Sequence, residues 1–360
     1  MDKRQYKERI SNFHDTENLK VYPEYPLKGL HIELSNVCNH SCLFCANRKM
    51  SRKKGFMDES LLKRILQEAY DEGFCDVGYY ANGEPFVSPE LDKYIGWAKQ
   101  IGYSYVYIDT NGGVEFVKIK RAIDAGLDSI KFSINGTDPD SYKLIHGRDD
   151  FCKVMDNLKK TYDYKKCIDR PLNVYVSIAV TRYIENSVNR FADCCRQYCD
   201  DLVTNSVIEM GGYIEEELKY LQTQKNMDFN QGMTIPCYLL WNSFFVTYEG
   251  YATACCADFQ NYLVYADLNR TSIKDAWNNE TITKLRRAHL EGKIDGLPCA
   301  TCVYGVKTEW HPLIEKYASV CTPDILGGFD IEKRIAEYKK RLLRRSLSDD
   351  FGVDSCQRWQ

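Results

Sequence analysis

Cys38-Asn39-His40-Ser41-Cys42-Leu43-Phe44-Cys45 places three thiols within eight residues, directly after the alternating run Leu30-His31-Ile32-Glu33-Leu34. Alternation of apolar and polar residues reads as a strand with one buried face, and the thiols then lie in the loop that leaves it. Cysteines this close in sequence suit a metal site better than a disulfide framework. Zinc is one occupant to weigh: it wants four ligands, and His40 offers a fourth.

Composition bounds the setting. The 360 residues are 44% hydrophobic and 28% charged, enough for one large domain and a smaller one. A net charge of −3 gives no reason to expect nucleic acid or an anionic membrane as partner. The first ten residues are polar, so no signal peptide is expected, and no apolar run approaches a membrane span. Sixteen cysteines without a secretion signal point to a reducing cytoplasm and to metal ligation.

Outward from the thiols, strand and helix patterns alternate. Residues 1–28 are a polar, Pro-containing lead-in expected to pack on the exterior of the main domain, and Lys49–Lys54 is a basic run expected as a solvated loop or a lid. Asp58 is placed to cap a helix carrying Leu61, Leu62, Ile65, Leu66 and Ala69. Strands are expected at Leu30–Leu34, Cys75–Tyr80, Tyr105–Asp109, Ser129–Ser133, Leu172–Val180 and Leu202–Val207. Between them fall helices at Pro89–Ile101, Val114–Ala125, Asp138–Ile145, Cys152–Tyr164 and Glu185–Cys199. Such alternation means parallel strands joined by crossover helices, with ligands at the carboxyl ends of the strands. Cys194, Cys195 and Cys199 share that last helix and read as packing residues.

The cysteine loop resembles that of radical S-adenosylmethionine (SAM) enzymes, including the aromatic Phe44 before the last thiol. The resemblance implies a partial (β/α)6 TIM-like barrel, since six units fall short of eight. It implies that Cys38, Cys42 and Cys45 hold a [4Fe–4S] cluster whose fourth iron binds SAM. Asn82-Gly83-Glu84-Pro85 resembles the family's Gly-Gly-Glu-Pro motif, with Asn82 in place of the first glycine and Glu84 expected on the SAM ammonium. Thr110-Asn111-Gly112 and Ser133-Ile134-Asn135-Gly136 resemble the motifs that approach the SAM carboxylate and ribose. Asn135 stands where the family has Asp, and Arg182 is a further candidate for the carboxylate or for substrate.

A second cysteine set follows a polar stretch, 211–235, read as a linker. Cys237 precedes a hairpin, Phe244–Thr247 and Tyr251–Cys256 about the turn Glu249-Gly250. Helices at Ser272–Trp277 and Thr281–Leu290 lead to the pair Cys299 and Cys302. This resembles the twitch domain, a shortened SPASM domain, and implies a second [4Fe–4S] cluster on Cys237, Cys255, Cys299 and Cys302. Structural zinc is the alternative for these four thiols. Only Cys321 and Cys356 remain beyond them, so a single auxiliary cluster is expected. Cys256, next to a proposed ligand on a strand, is expected to point the other way and is a candidate hydrogen-atom donor. The division expected is 1–28 lead-in, 29–210 barrel, 211–235 linker, 236–310 twitch/SPASM-like domain with its β-hairpin and helices, and 311–360 tail. The tail's basic helical face at 329–345 is expected to be solvated.

The activity implied is that of a cytoplasmic radical SAM oxidoreductase with two [4Fe–4S] clusters and SAM as cofactors. Reduced flavodoxin or ferredoxin is the implied electron donor. The architecture resembles that of the aminocyclitol dehydrogenases of butirosin biosynthesis, which implies a carbohydrate-like small molecule as substrate, with dehydrogenation ahead of epimerisation. A peptide maturase is the second reading, and a zinc-stabilised binding module the third.

Overall fold

The computed structural model describes residues 19–25, 29–223, 236–305, 309–319 and 331–347. Six parallel strands form in the order expected: β1 (Leu30–Ile32), β2 (Asp76–Tyr79), β3 (Tyr105–Thr110), β4 (Ser129–Ser133), β5 (Asn173–Val180) and β6 (Asp201–Ser206). The helices that cover them are α1 (Glu59–Asp71), α2 (Leu91–Ile101), α3 (Phe116–Asp124), α4 (Pro139–His146), α5 (Phe151–Lys165) and α6 (Val188–Cys195). Period-two alternation sorts each strand into faces. In β3, Val106 and Ile108 enter the hydrophobic core, while Tyr105, Tyr107 and Asp109 occupy the opposite face. In β4, Ile130 and Phe132 are core, and Lys131 and Ser133 lie opposite.

Local chemistry starts and stops the helices where the site needs them. Asp58 caps α1, its side chain accepting the N–H groups of Ser60 and Leu61. Leu62, Ile65, Leu66 and Ala69 are buried against the sheet. α4 begins with a capping box between Asp138 and Ser141, followed by Pro139. It ends at Gly147, whose φ of 71° is left-handed and open to glycine at little cost. α6 is shorter than expected, because turns occupy Thr181–Ser187 and a 3₁₀ turn takes Arg196–Tyr198. Cys195 and Cys199 are buried in the core as expected.

The second half does not sit apart. α7 (Glu215–Leu221) and α8 (Leu239–Asn242) lead to β7 (Phe244–Val246), β8 (Tyr251–Thr253) and β9 (Val264–Asp267). β7 pairs in parallel with β1, Leu30 opposite Phe244, so one nine-stranded sheet runs β6-β5-β4-β3-β2-β1-β7-β8-β9. The sheet is an open barrel whose free end is extended by the antiparallel hairpin. Helices α9 (Ile273–Trp277), α10 (Glu280–Leu290) and α11 (Pro298–Tyr304) follow, then α12 (Ile331–Leu347). The lead-in packs on this second half as well as on the barrel. Trp241 Nε1 donates to Lys20 O (2.7 Å) and Trp277 Nε1 to Pro23 O (3.1 Å), while Tyr25 packs against both Trp277 and Phe74.

Three expectations about polar stretches change. The basic run is only partly solvated: Ser51, Lys53 and Lys54 are exposed, but Lys49 and Arg52 are buried, 5% and 3% exposed. Lys49 Nζ donates to Glu217 (2.8 Å) and to Tyr213 O (3.0 Å), and Arg48 also meets Glu217. Arg52 bridges Glu33 of the first strand's extension (2.6 Å) and Glu249 of the hairpin turn (2.9 Å). The start of the expected linker, 211–221, is therefore a packed element that buries Glu217 as counter-ion, and 224–235 lie outside the described residues. The tail helix is not wholly solvated either: Arg334 donates to Ser41 O (2.9 Å) and Ser41 Oγ (2.6 Å), and Arg341 to Asp140 (3.1 Å).

Burial alone would depress the Arg52 guanidinium, but Glu33 and Glu249 hold its pKa above the usual value. Arg52→Leu leaves the buried Glu33 carboxylate with the N–H of Tyr248 (3.2 Å) but no countercharge from Arg52, and should destabilise the fold by about 3–5 kcal/mol in denaturant titration. Adding Glu33→Gln should recover part of that loss, because the stranded charge is removed.

Candidate functional site

Cys38, Cys42 and Cys45 lie in the loop that leaves β1, at the carboxyl edge of the parallel strands. Burial pushes the Cys38 thiol up to about 12, with Glu84 adding to it. Burial and the charges of Cys45 and Cys38 raise Cys42 well above a free thiol, and burial raises Cys45. Burial opposes the thiolate form at all three positions, so a metal or cluster bound here would have to displace the thiol protons and repay the desolvation of the thiolates. Backbone N–H groups already face the sulfurs, from His40 to Cys38 (3.4 Å) and from Asn47 to Cys45. The residues present therefore fit a three-thiolate iron–sulfur cluster.

The zinc alternative has a geometric counterpart in His40, Cys42 and His146, whose ligand atoms lie within 4.8 Å of one another. Such a site would use one of the three thiols. His40 is engaged only at Nε2, by Asp150 (3.1 Å), and its Nδ1 is buried without a partner, whereas His146 Nε2 faces the backbone N–H of Asn135 (3.1 Å).

The loop after β2 is pressed onto the cysteine loop. A Cβ on Gly83 would lie 2.1 Å from Ser35 O and 2.7 Å from Val37 O, so only glycine fits. Glu84, 3% exposed, accepts Thr110 Oγ1 (2.7 Å) and the N–H groups of Asn111 (2.8 Å) and Phe86 (3.3 Å). Burial raises its carboxyl to about 7 despite these three donors. Asn82 is buried with its Oδ1 unpartnered, and Pro85 opens the short turn that follows. A buried carboxylate short of a cation, beside an orphaned amide oxygen, fits an ammonium ligand such as that of SAM.

The other candidates are placed as follows. Asn111 Nδ2 bonds Asn39 Oδ1 (2.8 Å) and approaches Cys38 Sγ (3.9 Å). Ser133 Oγ pairs with Ser177 Oγ (3.2 Å) on the inner sheet face. Asn135 Oδ1 accepts the N–H of Ala179 (2.6 Å), so this side chain is committed to the neighbouring strand. Phe44 stands edge-on to His146 at 6.1 Å. Arg182 is exposed, its Nε donating to Gln222 O (3.0 Å).

Cys237, Cys255, Cys299 and Cys302 form the second thiol group, each raised by burial and by its neighbours; for Cys255 the largest cause is a hydrogen bond with Cys256. Gly211 N–H faces Cys302, and Cys237 N–H is 3.4 Å from His289 Nδ1. The opposite-facing arrangement expected of Cys255 and Cys256 does not form. β8 ends at Thr253, so both lie in a turn, where their thiols hydrogen-bond and the side chains need not alternate. Cys256 also senses Asp109 and Lys131, which form an ion pair (2.5 Å) on the inner face of the sheet. Cys321 and Cys356 lie outside the described residues.

Sequence reasoning missed four residues near the site. Asp109 and Lys131 face each other across β3 and β4, and strand alternation could have found them. His31 Nδ1 contacts Tyr107 OH (3.1 Å) and its ring stacks on Phe245. His146 carries no spacing signal, since only the fold of α4 brings it 3.4 Å from Cys42 Sγ.

Comparison with known proteins agrees with this geometry. The Radical SAM superfamily model matches residues 32–176, and an iron–sulfur cluster-binding domain model, SPASM, matches 237–303. An uncharacterised protein of Methanocaldococcus jannaschii is 29% identical over 194 residues, 53% of this chain and 62% of its own length. A probable GTP 3′,8-cyclase of Saccharolobus solfataricus is 29% identical over 138 residues, 38% of this chain and 44% of its own. The chain thus spans about half the length of the curated relatives it matches. Streptococcus suis SuiB bound to precursor peptide SuiA superposes with a TM-score of 0.60 at 14% identity, covering 89% of this chain and 80% of SuiB. Native anSMEcpe with bound AdoMet superposes at 0.55 and 15% identity, covering 88% and 98%. At these identities the structural likeness establishes the fold. The chain belongs to the radical SAM superfamily and carries a SPASM-type domain. The cofactors of that class are SAM, a [4Fe–4S] cluster and auxiliary iron–sulfur clusters.

Glu84→Gln should weaken SAM binding about ten- to a hundred-fold, roughly 1.5–3 kcal/mol, with iron content unchanged in calorimetry of the reconstituted protein. The wild-type affinity should rise as pH passes upward through about 7, where Glu84 ionises. The variant should lose that rise. The sign for folding is opposite: a raised carboxyl holds more protons folded than unfolded, so Glu84 subtracts stability as pH climbs from its ordinary value to about 7.

Proposed function

We propose that the chain is a radical SAM oxidoreductase with one auxiliary [4Fe–4S] cluster, acting on a small hydroxyl- or amino-bearing substrate of carbohydrate type. The observation that carries the reading is the partly buried Asp109–Lys131 ion pair (2.5 Å) on the inner face of the sheet, a polar donor and acceptor set suited to hydroxyl or amino groups. When bound, the cluster and SAM supply a 5′-deoxyadenosyl radical that takes a hydrogen atom from a C–H bond.

The chain's own residues do the rest. Cys38, Cys42 and Cys45 hold the first cluster, and Cys237, Cys255, Cys299 and Cys302 the second. Gly83 lets the loop after β2 approach, and Glu84 and Asn82 hold the SAM ammonium. Asp109 and Lys131, both about three-quarters buried, offer one acceptor and one donor to substrate hydroxyl or amino groups. Tyr80, Tyr107 and His31 form an aromatic floor beside them. The probable GTP cyclases, named for a nucleotide, also favour a small molecule over a peptide.

The protein as reconstituted under anaerobic conditions should hold about eight irons per chain, and changing Cys38, Cys42 and Cys45 together to Ala should leave about four and abolish SAM cleavage. Zinc in place of iron, or cleavage that survives the triple change, would remove the reading. Once a substrate is in hand, the route divides at Cys256. A dehydrogenase loses an electron and a proton from the substrate, so Cys256→Ser should keep most turnover, whereas Cys255→Ala should lose four irons, roughly one cluster, and the product. A Cys256→Ser protein with full iron that still cleaves SAM but forms no product would instead point to an epimerase. Deuterium from D2O at the reacting carbon would support that outcome.

A further inference from the structure

His146 ends α4 and is 1% exposed. Its ring lies flat on Tyr142, centroids 4.0 Å apart and planes 14° apart, with His40 and Phe44 edge-on to it. Packing from three sides fixes its orientation. Nε2 sits 3.1 Å from the backbone nitrogen of Asn135. A backbone N–H can only donate, so Nε2 carries the lone pair and the ring proton is on Nδ1. Nδ1 in turn lies 3.4 Å from Cys42 Sγ. The proton is aimed at the sulfur of a proposed cluster ligand.

The same tautomer rules out His146 as a metal ligand through Nδ1. A neutral imidazole bound there would carry its proton on Nε2, donor against donor with Asn135 N–H. Asn135 cannot turn away, because its side-chain Oδ1 is held by Ala179 N–H at 2.6 Å. Resting on the cluster reading above, we infer that His146 is a positioning residue that donates a hydrogen bond to the Cys42 thiolate and stabilises the reduced state of the SAM-binding cluster. Reduction adds negative charge shared with the sulfurs, so an N–H donor favours the reduced form, and more so in a dry, low-dielectric site. The donor comes from the segment after β4, so the position of that strand's end is transmitted to the cluster through one ring.

The test uses the reconstituted full chain and the EPR signal of the cluster that responds to SAM, which separates it from the auxiliary one. With histidine carrying ¹⁵N in the imidazole ring only, so that the backbone N–H of His40 at Cys38 stays silent, the reduced wild type should show a weak nitrogen coupling and an exchangeable proton, both lost in His146→Phe. That variant keeps the stacked ring but not the donor. Its reduced-to-oxidised ratio at a fixed potential should fall roughly tenfold, about 59 mV for one electron. His146→Asn, whose amide nitrogen falls near the Nδ1 position, should recover most of the shift. An unchanged midpoint in His146→Phe with full iron would overturn the proposal. So would a wild type with no histidine coupling, or with one of ligated strength, and this readout decides the matter even if the variant loses its cluster. Zinc in place of iron would instead remove the cluster reading, and the proposal with it.

Discussion

β1 is three residues long and is hydrogen-bonded on both edges, to β2 on one side and β7 on the other. Everything of chemical interest hangs from its carboxyl end. The cysteine loop begins four residues beyond Leu34, held between the loop after β2 and the C-terminal half of the chain. Such a short strand could not hold the loop by its own ladder. The Glu33–Arg52–Glu249 bridge completes the attachment, tying the strand's extension, the basic run and the hairpin turn together in a buried ionic knot. Replacing such charges by apolar groups often stabilises a fold, so their retention here is better understood as fixing register between the two halves.

The two thiol groups impose a related constraint. Seven buried sulfurs as thiolates would oppose folding, and each group is built so that its cost falls only when a cationic partner arrives. Backbone N–H groups from His40, Asn47, Gly211 and Ala257 point at these sulfurs beforehand. The SAM side follows the same logic with the sign reversed, since Glu84 and Asn82 present acceptors that lack a cation.

Much of this was legible in the sequence, and the boundary has a physical cause. Period-two and helical repeats gave six strands and their crossovers, because each unit buries its own apolar face nearby. The thiol spacings and the Asn82–Pro85 turn marked the site, since local geometry is set by local residues. Pairing of Leu30 with Phe244 left no trace, because a short apolar strand reads the same beside any neighbour. Burial of Lys49 and Arg52 was misread for a similar reason: a charge run is solvated unless distant carboxylates reach it, and Glu217 and Glu249 lie far along the chain. Strand alternation failed at Cys255 and Cys256 because it presumes a strand, and β8 stops two residues earlier.

The parallel contact between β1 and β7 also orders events during synthesis. β1 leaves the ribosome before β7, and its outer edge waits until all of the other barrel strands have followed. Throughout that interval the barrel half carries an open, apolar strand edge beside three unligated sulfurs, a combination prone to edge-to-edge pairing and to oxidation. The hairpin that bears Cys255 thus acts as the cap that ends this exposure. Its arrival couples completion of the sheet to assembly of the second metal group, so a nascent chain stalled before β7 is vulnerable in both respects at once.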